Sequence, residues 1–222
     1  MRNNHNAGVI CGVDEAGKGA VLGPLVVAGV ACTNSGVLEG IGICDSKLLS
    51  PKKREELYPE ILSRCRVHTI ALAPQEIDLL RNTRTMNDIC AESHAQVISV
   101  LSPEIAYVDA CDVNPVRYGW AVEGLLSCSC PVIAEHHAET AYLPVAAASI
   151  VAKVERDHAV EVLQKEYGAV GSGYPSDPTT VSFLDSYIAT HRRPPSCSRR
   201  SWKTVAFLVN KLHQSTLSEF FP

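Results

Sequence analysis

The sequence lacks the features that would place it in a membrane or send it to an oxidising compartment. No apolar run approaches the ~20 residues that a helix needs to cross a bilayer. Residues 1–6 are polar and do not contain the apolar segment of a signal peptide. The net charge is −4, so there is no overall excess of positive charge. We expect a cytoplasmic protein that does not bind membranes.

The cysteines lack the spacing of a disulfide framework or a zinc site. There are nine, an odd number, and none of them forms a C-x-x-C pair. Several, such as Cys11, Cys32 and Cys44, lie inside apolar runs, where a thiol behaves as a small hydrophobic group. The pattern therefore predicts reduced thiols in the core.

The remaining composition is that of a globular protein, because 46% of the residues are hydrophobic and 20% are charged. Alternating and β-branched patterns predict strands at residues 8–14, 21–32, 66–72, 105–110 and 131–136. Helical patterns and capping residues predict helices at 51–64, 85–101, 114–127, 145–167, 178–191 and 201–213. Pro24 predicts that the second strand is an edge strand or begins with a bulge. We expect an α/β fold with a mixed sheet flanked by helices and a mostly helical C-terminal part.

The segment from Gly12 to Ala20 combines two adjacent carboxylates, Asp14 and Glu15, with a Gly17-Lys18-Gly19 turn. It nearly matches the phosphate-binding loop G-x-x-x-x-G-K-[ST], but Gly19 replaces the hydroxyl residue that would hold magnesium. Two carboxylates inside a phosphate cradle would also repel the ligand. A nucleotide hydrolase is therefore a weaker alternative than a metal site.

Carboxylates follow several predicted strands. Asp109 ends the strand that starts at residue 105, and Glu139 follows the strand at 131–136. Oxygen ligands without histidine or cysteine suit Mg²⁺ or Mn²⁺, and phosphodiester hydrolysis by two metal ions needs several such ligands. Neighbours on a strand point to opposite faces, so Asp14 and Glu15 share a site only if the strand bends or ends there.

Five motifs, in order along the chain, resemble the type 2 ribonucleases H (ribonuclease HII) in their archaeal form. Residues 14–19 are similar to the D-E-A-G-R-G signature, with Lys18 where the family usually has arginine. The other four are Asp45-Ser46-Lys47, Val108-Asp109-Ala110, residues 148–157 and residues 171–175. The resemblance covers residues 8 to 205.

The resemblance implies a ribonuclease H-like fold and an endoribonuclease. Such an enzyme hydrolyses the RNA strand of RNA–DNA hybrids and cuts at ribonucleotides embedded in duplex DNA, leaving 3′-hydroxyl and 5′-phosphate ends. It implies that Asp14, Glu15, Asp109 and Glu139 are catalytic and bind Mg²⁺ or Mn²⁺. Glu139 stands where the family usually has aspartate.

The same resemblance implies a set of substrate-binding residues. Its glycine turn, Gly17-Lys18-Gly19, would contact the 2′-hydroxyl that distinguishes RNA from DNA. Tyr174 would engage the sugar at the junction. The remaining substrate-binding candidates are Ser46, Lys47 and Lys153, the two lysines as phosphate contacts. A basic segment at residues 191–203 is either a phosphate-binding patch or a solvated loop.

The C-terminal residues 214–222 form a second motif, separate from the catalytic domain at 1–213. Gln214, Leu217, Phe220 and Phe221 match the box by which proteins dock on the DNA sliding clamp. We therefore expect a monomeric enzyme of DNA replication and repair with two partners, the clamp and the hybrid duplex. A non-catalytic, clamp-tethered hybrid-binding protein is the alternative, but it leaves the four acids unexplained.

Overall fold

Five strands form one mixed sheet. The computed structural model describes residues 8–33, 35–43 and 49–220, with 213–220 as backbone only. The strands are β1 (Ile10–Ala16), β2 (Leu25–Cys32), β3 (Arg66–Leu72), β4 (Ile105–Asp109) and β5 (Val132–Glu135). Their order is β3-β2-β1-β4-β5. β1 pairs antiparallel with β2 and parallel with β4, which pairs parallel with β5. The expected α/β fold with a mixed sheet is confirmed.

Helices account for most of the rest of the described chain. They are α1 (Pro51–Arg64), α2 (Pro74–Leu80), α3 (Met86–Leu101), α4 (Pro115–Glu123), α5 (Ala138–Ala141), α6 (Leu143–Tyr167), α7 (Pro178–His191) and α8 (Lys203–Phe220). The side chains of Ser50, Asn114 and Asp177 cap α1, α4 and α7 by accepting backbone N–H bonds, and each is followed by proline. No helix in the described ranges is both long and apolar enough to span a membrane.

The structure differs from the sequence-based assignment in several elements. The short helices α2 and α5 were not predicted, and α4 ends at Glu123 rather than at 127. α8 continues past 213 to Phe220, because no glycine or proline interrupts it before Pro222. β2 is an inner strand, so the edge-strand prediction is wrong. Pro24 precedes the strand, and its missing N–H therefore removes no bond of the ladder.

The chain divides into two compact units. The first takes the described residues within 1–16, 26–70 and 86–155, and the second takes 17–25, 71–85 and 156–222. One face of the sheet in the first unit packs on α6, through a core that includes Ala28, Ala147 and Val151. The core of the second unit includes Leu22, Leu184 and Val205.

The two faces of β1 meet different helices. On one face Gly12 lies so close to α6 that an added Cβ would sit 2.1 Å from the backbone nitrogen of Val145. On the other face of the sheet, Gly29, which pairs with Val13, lies against Val97 of α3. Since side chains alternate along a strand, Asp14 shares the α6 face with Gly12, and Glu15 shares the α3 face with Val13.

We expect Gly12→Ala to destabilise the first unit by about 1–3 kcal/mol or more, because the atoms that the new methyl group would meet belong to the backbone and cannot rotate away. Urea denaturation measures the change. Gly19→Ala is the matched control, since nothing lies within 4 Å of its added Cβ. Equal unfolding free energies for the two variants would contradict the close packing of β1 on α6.

Candidate active site

Two aspartates stand at the carboxyl ends of neighbouring parallel strands. The pairing of β1 with β4 runs as far as Val13 opposite Val108, and the next residue on each strand is an aspartate, Asp14 and Asp109. Asp109 also pairs with Glu135 of β5. The carboxyl edge of an open α/β sheet is where such folds place their binding sites.

Asp14 is 5% exposed and lies among charged groups. The pKa of Asp14 is raised to about 7, first by burial and then by the negative charges of Glu15 and Asp109, with the charge of Lys153 and a hydrogen bond with Ser149 acting in the opposite direction. Lys153 Nζ donates to Ser149 Oγ at 2.6 Å, one turn away on α6. Three carboxylates and one lysine are therefore close together at this edge.

Glu15 lies on the opposite face from Asp14. The strand does not end at these two residues, because the ladder between β1 and β2 continues through Ala16. The carboxylate of Glu15 lies instead beside α3, where its Oε2 is 3.2 Å from Nε2 of the fully buried His94. The negative charge of Glu15 nevertheless contributes to the raised pKa of Asp14.

Glu139 lies in the first turn of α5 and is 4% exposed. The preceding residue, Ala138, donates its backbone N–H to Asp109 Oδ1 at 3.1 Å, which ties α5 to the end of β4. Nδ1 of His137 is 3.9 Å from Glu139 Oε1. His137 itself has a φ of 58°, a left-handed conformation that begins the helix immediately after β5.

The chemistry of this edge fits a hard divalent cation. Its donors are carboxylate oxygens, which Mg²⁺ and Mn²⁺ prefer. Burial raises the pKa of Asp14 most and the charges of Glu15 and Asp109 add to the shift; a bound cation would relieve the repulsion among the three carboxylates. Asp14, Glu15, Asp109 and Glu139 are thus the residues that would hold the metal.

The glycine turn belongs to the second unit. Gly17 has a φ of +88°, and an added Cβ would lie 2.6 Å from Arg156 Nε, so only glycine fits there. The N–H of Ala20 donates to the Gly17 carbonyl at 3.1 Å and closes the turn. Val21 and Leu22, which follow Ala20, both donate their backbone N–H groups to the carbonyl of Gly173. The turn is therefore a rigid backbone feature with Gly19 exposed.

Arg199 is a structural residue that sequence reasoning missed. It belongs to the basic segment at 191–203, yet it is fully buried. Its guanidinium donates to the Gly23 carbonyl and, at 3.1 Å, to the Lys18 carbonyl, and it lies over the ring of Trp202. Its charge therefore holds the glycine turn rather than facing solvent. Its position beside a tryptophan was the available sequence signal.

Tyr174 is held by a second arginine of the same unit. The guanidinium carbon of Arg156 lies 4.5 Å from the centroid of the Tyr174 ring, and Arg156 Nη2 donates to the Ser172 carbonyl. The loop is further fixed by Asp177, which accepts the Ser172 N–H at 2.6 Å. Tyr174 is half-buried, so part of its ring faces solvent.

Some predicted site residues lie outside the described part of the molecule. They are Ser46 and Lys47, within residues 44–48, and Phe221 of the tail. Gln214, Leu217 and Phe220 are described as backbone only, within α8.

Comparison with known proteins shows which family this chain belongs to. A family model described as Ribonuclease HII matches residues 11–205. The chain belongs to the ribonuclease HII family. It is 54% identical to the ribonuclease HII of Methanoregula boonei over 213 residues, which cover 96% of this chain and 100% of that protein.

Solved structures agree. The ribonuclease HII in the PCNA:RNase HII complex from Archaeoglobus fulgidus has a TM-score of 0.84 and 48% identity, covering 90% of this chain and 96% of that one. Ribonuclease H2 from Pyrococcus horikoshii OT3 has a TM-score of 0.87 and 37% identity, covering 93% and 99%.

Membership of the ribonuclease HII family makes the chain a hydrolase, an endoribonuclease that depends on divalent metal ions. The resemblance stated from the motifs is thereby confirmed. The two alternatives, a nucleotide hydrolase and a non-catalytic hybrid-binding protein, are not favoured.

The raised pKa of Asp14 predicts an unusual pH dependence of stability in the metal-free protein. In the unfolded chain this carboxyl ionises near its ordinary pKa of 3.8, but in the folded protein it holds its proton to about pH 7. Raising the pH from 4 to 8 therefore lowers the free energy of unfolding of the unsubstituted protein by an amount on the order of a few kcal/mol. This loss should be absent in Asp14→Asn, which has no carboxyl at residue 14. Urea denaturation with a chelator present measures both proteins. If the unfolding free energy of the unsubstituted protein minus that of Asp14→Asn stays constant or grows from pH 4 to 8, the raised pKa of Asp14 is contradicted.

Proposed function

We propose that the chain hydrolyses the RNA strand of RNA–DNA hybrids and also cuts at ribonucleotides embedded in duplex DNA. The products would carry 3′-hydroxyl and 5′-phosphate ends. The observation that carries the proposal is the cluster of Asp14, Glu15 and Asp109 at the carboxyl edge of the sheet, where burial and then the charges of the two neighbours raise the pKa of Asp14 to about 7. Family membership supports the substrate class.

The proposed metal ligands are Asp14, Glu15, Asp109 and Glu139, and the proposed ions are Mg²⁺ or Mn²⁺. Bound there, such ions would supply charge stabilisation for the attacking water and for the departing 3′ oxygen. The protein positions the ligands, because α5 and the ends of β1 and β4 fix where the carboxylates lie. Glu139 is one methylene longer than the aspartate usual in the family, so its carboxylate reaches further from α5.

Lys153 is the proposed phosphate contact within the first unit. Its ammonium group is near enough to Asp14 to lower the pKa of that carboxyl, and its bond to Ser149 fixes its position along α6. A cation beside the acids offsets part of the repulsion between them and the phosphodiester. Lys47 and Ser46 are proposed as further substrate contacts on the strength of the motif alone.

Recognition of the 2′-hydroxyl is proposed for the glycine turn. Exposed backbone at Gly19 and the fixed conformation of Gly17 suit hydrogen bonding by main-chain groups, which do not depend on the identity of residue 18. This accounts for tolerance of Lys18 in place of arginine. The Tyr174 ring, held by Arg156, is proposed to engage the sugar at the junction.

The tail is proposed to dock on the DNA sliding clamp. Its motif residues Leu217 and Phe220 are three positions apart, and the backbone of α8 is helical over both, which is the spacing of neighbours on one helix face. A ribonuclease HII 48% identical to this chain has been solved in complex with PCNA.

We expect cleavage of duplex DNA that bears a single ribonucleotide, in the presence of Mg²⁺ or Mn²⁺ and not after chelation. Asp109→Asn should lower the single-turnover rate at least about 10²–10³-fold, because it removes charge from the cluster that holds the metal. Asp185→Asn, the same change at an exposed aspartate of α7 that pairs with Lys211, is the control and should cut at the unsubstituted rate.

Two results would contradict the proposal. If the unsubstituted protein leaves both this duplex and an RNA–DNA hybrid uncut with either metal, the function is wrong. If Asp109→Asn cuts at full rate, the site is misplaced.

A Phe220→Ala, Phe221→Ala double variant should lose binding to immobilised archaeal PCNA, since the two rings would supply most of the apolar contact. Cleavage of short duplexes should persist. Ser218→Ala, at a variable position of the motif, is the control and should bind as before. Clamp binding that survives in the double variant would rule out docking through the tail.

A further inference from the structure

A second group of metal-binding atoms lies on the α3 face of the sheet, behind the acidic edge. One carboxylate oxygen of Glu15 and the Sγ atoms of Cys90 and Cys111 all lie within 4.8 Å of one another. Cys90 is fully buried on α3, whereas Cys111 and Glu15 are partly exposed. An ion can therefore reach the group from the side of Cys111.

His94 is the candidate fourth donor; it lies beside Glu15, but its nitrogens are not within 4.8 Å of all three of these atoms, so its ring would have to turn towards the thiols. It follows Cys90 by four residues on α3, so both side chains lie on one face of the helix. Its Nε2 is 3.2 Å from Oε2 of Glu15. The hydroxyl of Tyr118 lies 3.2 Å from His94 Nδ1 and accepts a hydrogen bond from Cys111 Sγ at 3.0 Å. Tyr118 thus contacts two of the four candidate ligands and fixes their orientation, as outer-sphere partners of metal ligands do.

The chemistry of this group differs from that of the acidic edge. Two thiols, an imidazole and a carboxylate suit borderline-soft Zn²⁺, whereas Mg²⁺ takes oxygen ligands. In tetrahedral zinc with Zn–S bonds of about 2.3 Å, neighbouring sulfurs lie about 3.8 Å apart. A closure of about 1 Å by side-chain rotation would therefore bring the Glu15, Cys90 and Cys111 atoms to coordinating distance.

We propose that Cys90, Cys111, Glu15 and His94 form a Zn²⁺ site, and that zinc bound there withdraws Glu15 from the acidic edge and inhibits cleavage. Each thiol releases its proton to solvent as it binds, and His94 binds through an unprotonated Nε2 with its ring proton on Nδ1, which faces the Tyr118 hydroxyl. The inhibitory part rests on the proposed function, but the binding part does not. Cysteine spacing gave no sign of the site because residues 90 and 111 are far apart in sequence, and the fold alone brings them together.

Co²⁺ is the probe for binding, added to the whole chain with a non-coordinating reductant and without nucleic acid. The proposed site gives thiolate-to-cobalt charge-transfer absorption and the intense visible bands of a tetrahedral ion, both abolished by Zn²⁺. Co²⁺ held by carboxylates alone gives no charge-transfer band. Cys90→Ala and Cys111→Ala should lose the band, whereas Cys130→Ala, a buried thiol outside the group, should keep it.

For Cys111→Ala we expect Zn²⁺ affinity to fall more than about a hundredfold, since outer-sphere partners alone are worth 10–100-fold. Circular dichroism checks that each variant is folded; if Cys90→Ala is not, the partly exposed Cys111→Ala decides. The absence of a charge-transfer band in the unsubstituted protein overturns the site. A band of full intensity in both Cys90→Ala and Cys111→Ala overturns the assignment of ligands.

Inhibition is measured as the ratio of cleavage rates with and without stoichiometric Zn²⁺ in excess Mg²⁺. The rate with Zn²⁺ should be at most about one tenth of the rate without it in the unsubstituted protein. In Cys111→Ala the two rates should be close to equal. Zinc that binds yet leaves the ratio at unity overturns the inhibitory part. A protein that cuts nothing in Mg²⁺ or Mn²⁺ contradicts the proposed function instead, and the cobalt spectrum then still decides the site.

Discussion

Repulsion among three carboxylates, one of them buried, is the constraint on which the candidate active site depends. Asp14, Glu15 and Asp109 are held at one sheet edge, and the pKa of Asp14 is raised to about 7 as a result of burial and of its two neighbours. Such an arrangement costs stability unless a cation is bound, so the rest of the first unit must enforce it. The parallel pairing of β1 with β4 sets the two aspartates side by side, and the close contact of Gly12 with α6 fixes β1 against the helix that carries Ser149 and Lys153.

In the second unit, the main constraint is that the glycine turn is held in one conformation. Buried arginine side chains hold it there by donating hydrogen bonds to main-chain carbonyls. Arg199 donates to the carbonyl of Lys18 within the turn and to that of Gly23 after it, and Arg156 fills the space that a side chain at Gly17 would need. All three guanidinium nitrogens of Arg199 donate to these two carbonyls, so the carbonyl positions and this arginine specify one another.

The sequence predicted the family and the mixed sheet, because motif order and strand periodicity are local properties, while the roles of the acidic residues stay predictions. It failed where the outcome depends on packing. Whether Asp14 and Glu15 share a face depends on how far the ladder with β2 continues, and Pro24 is compatible with an inner strand because β2 begins one residue later. Arg199 reads as a surface charge until its burial is known, and Cys90 meets Cys111 only through the placement of α3 beside the end of β4.

The most direct test of the account is whether Asp14, Glu15 and Asp109 bind a divalent cation together. Thermal unfolding at pH 8, where Asp14 is ionised, should show a midpoint for the unsubstituted protein that rises with Mn²⁺ concentration, because the ion binds the folded state. In Asp109→Asn the rise should be largely lost, although the metal-free variant is at least as stable as the unsubstituted protein. A midpoint that ignores Mn²⁺, or that rises equally in both proteins, would contradict the shared metal site.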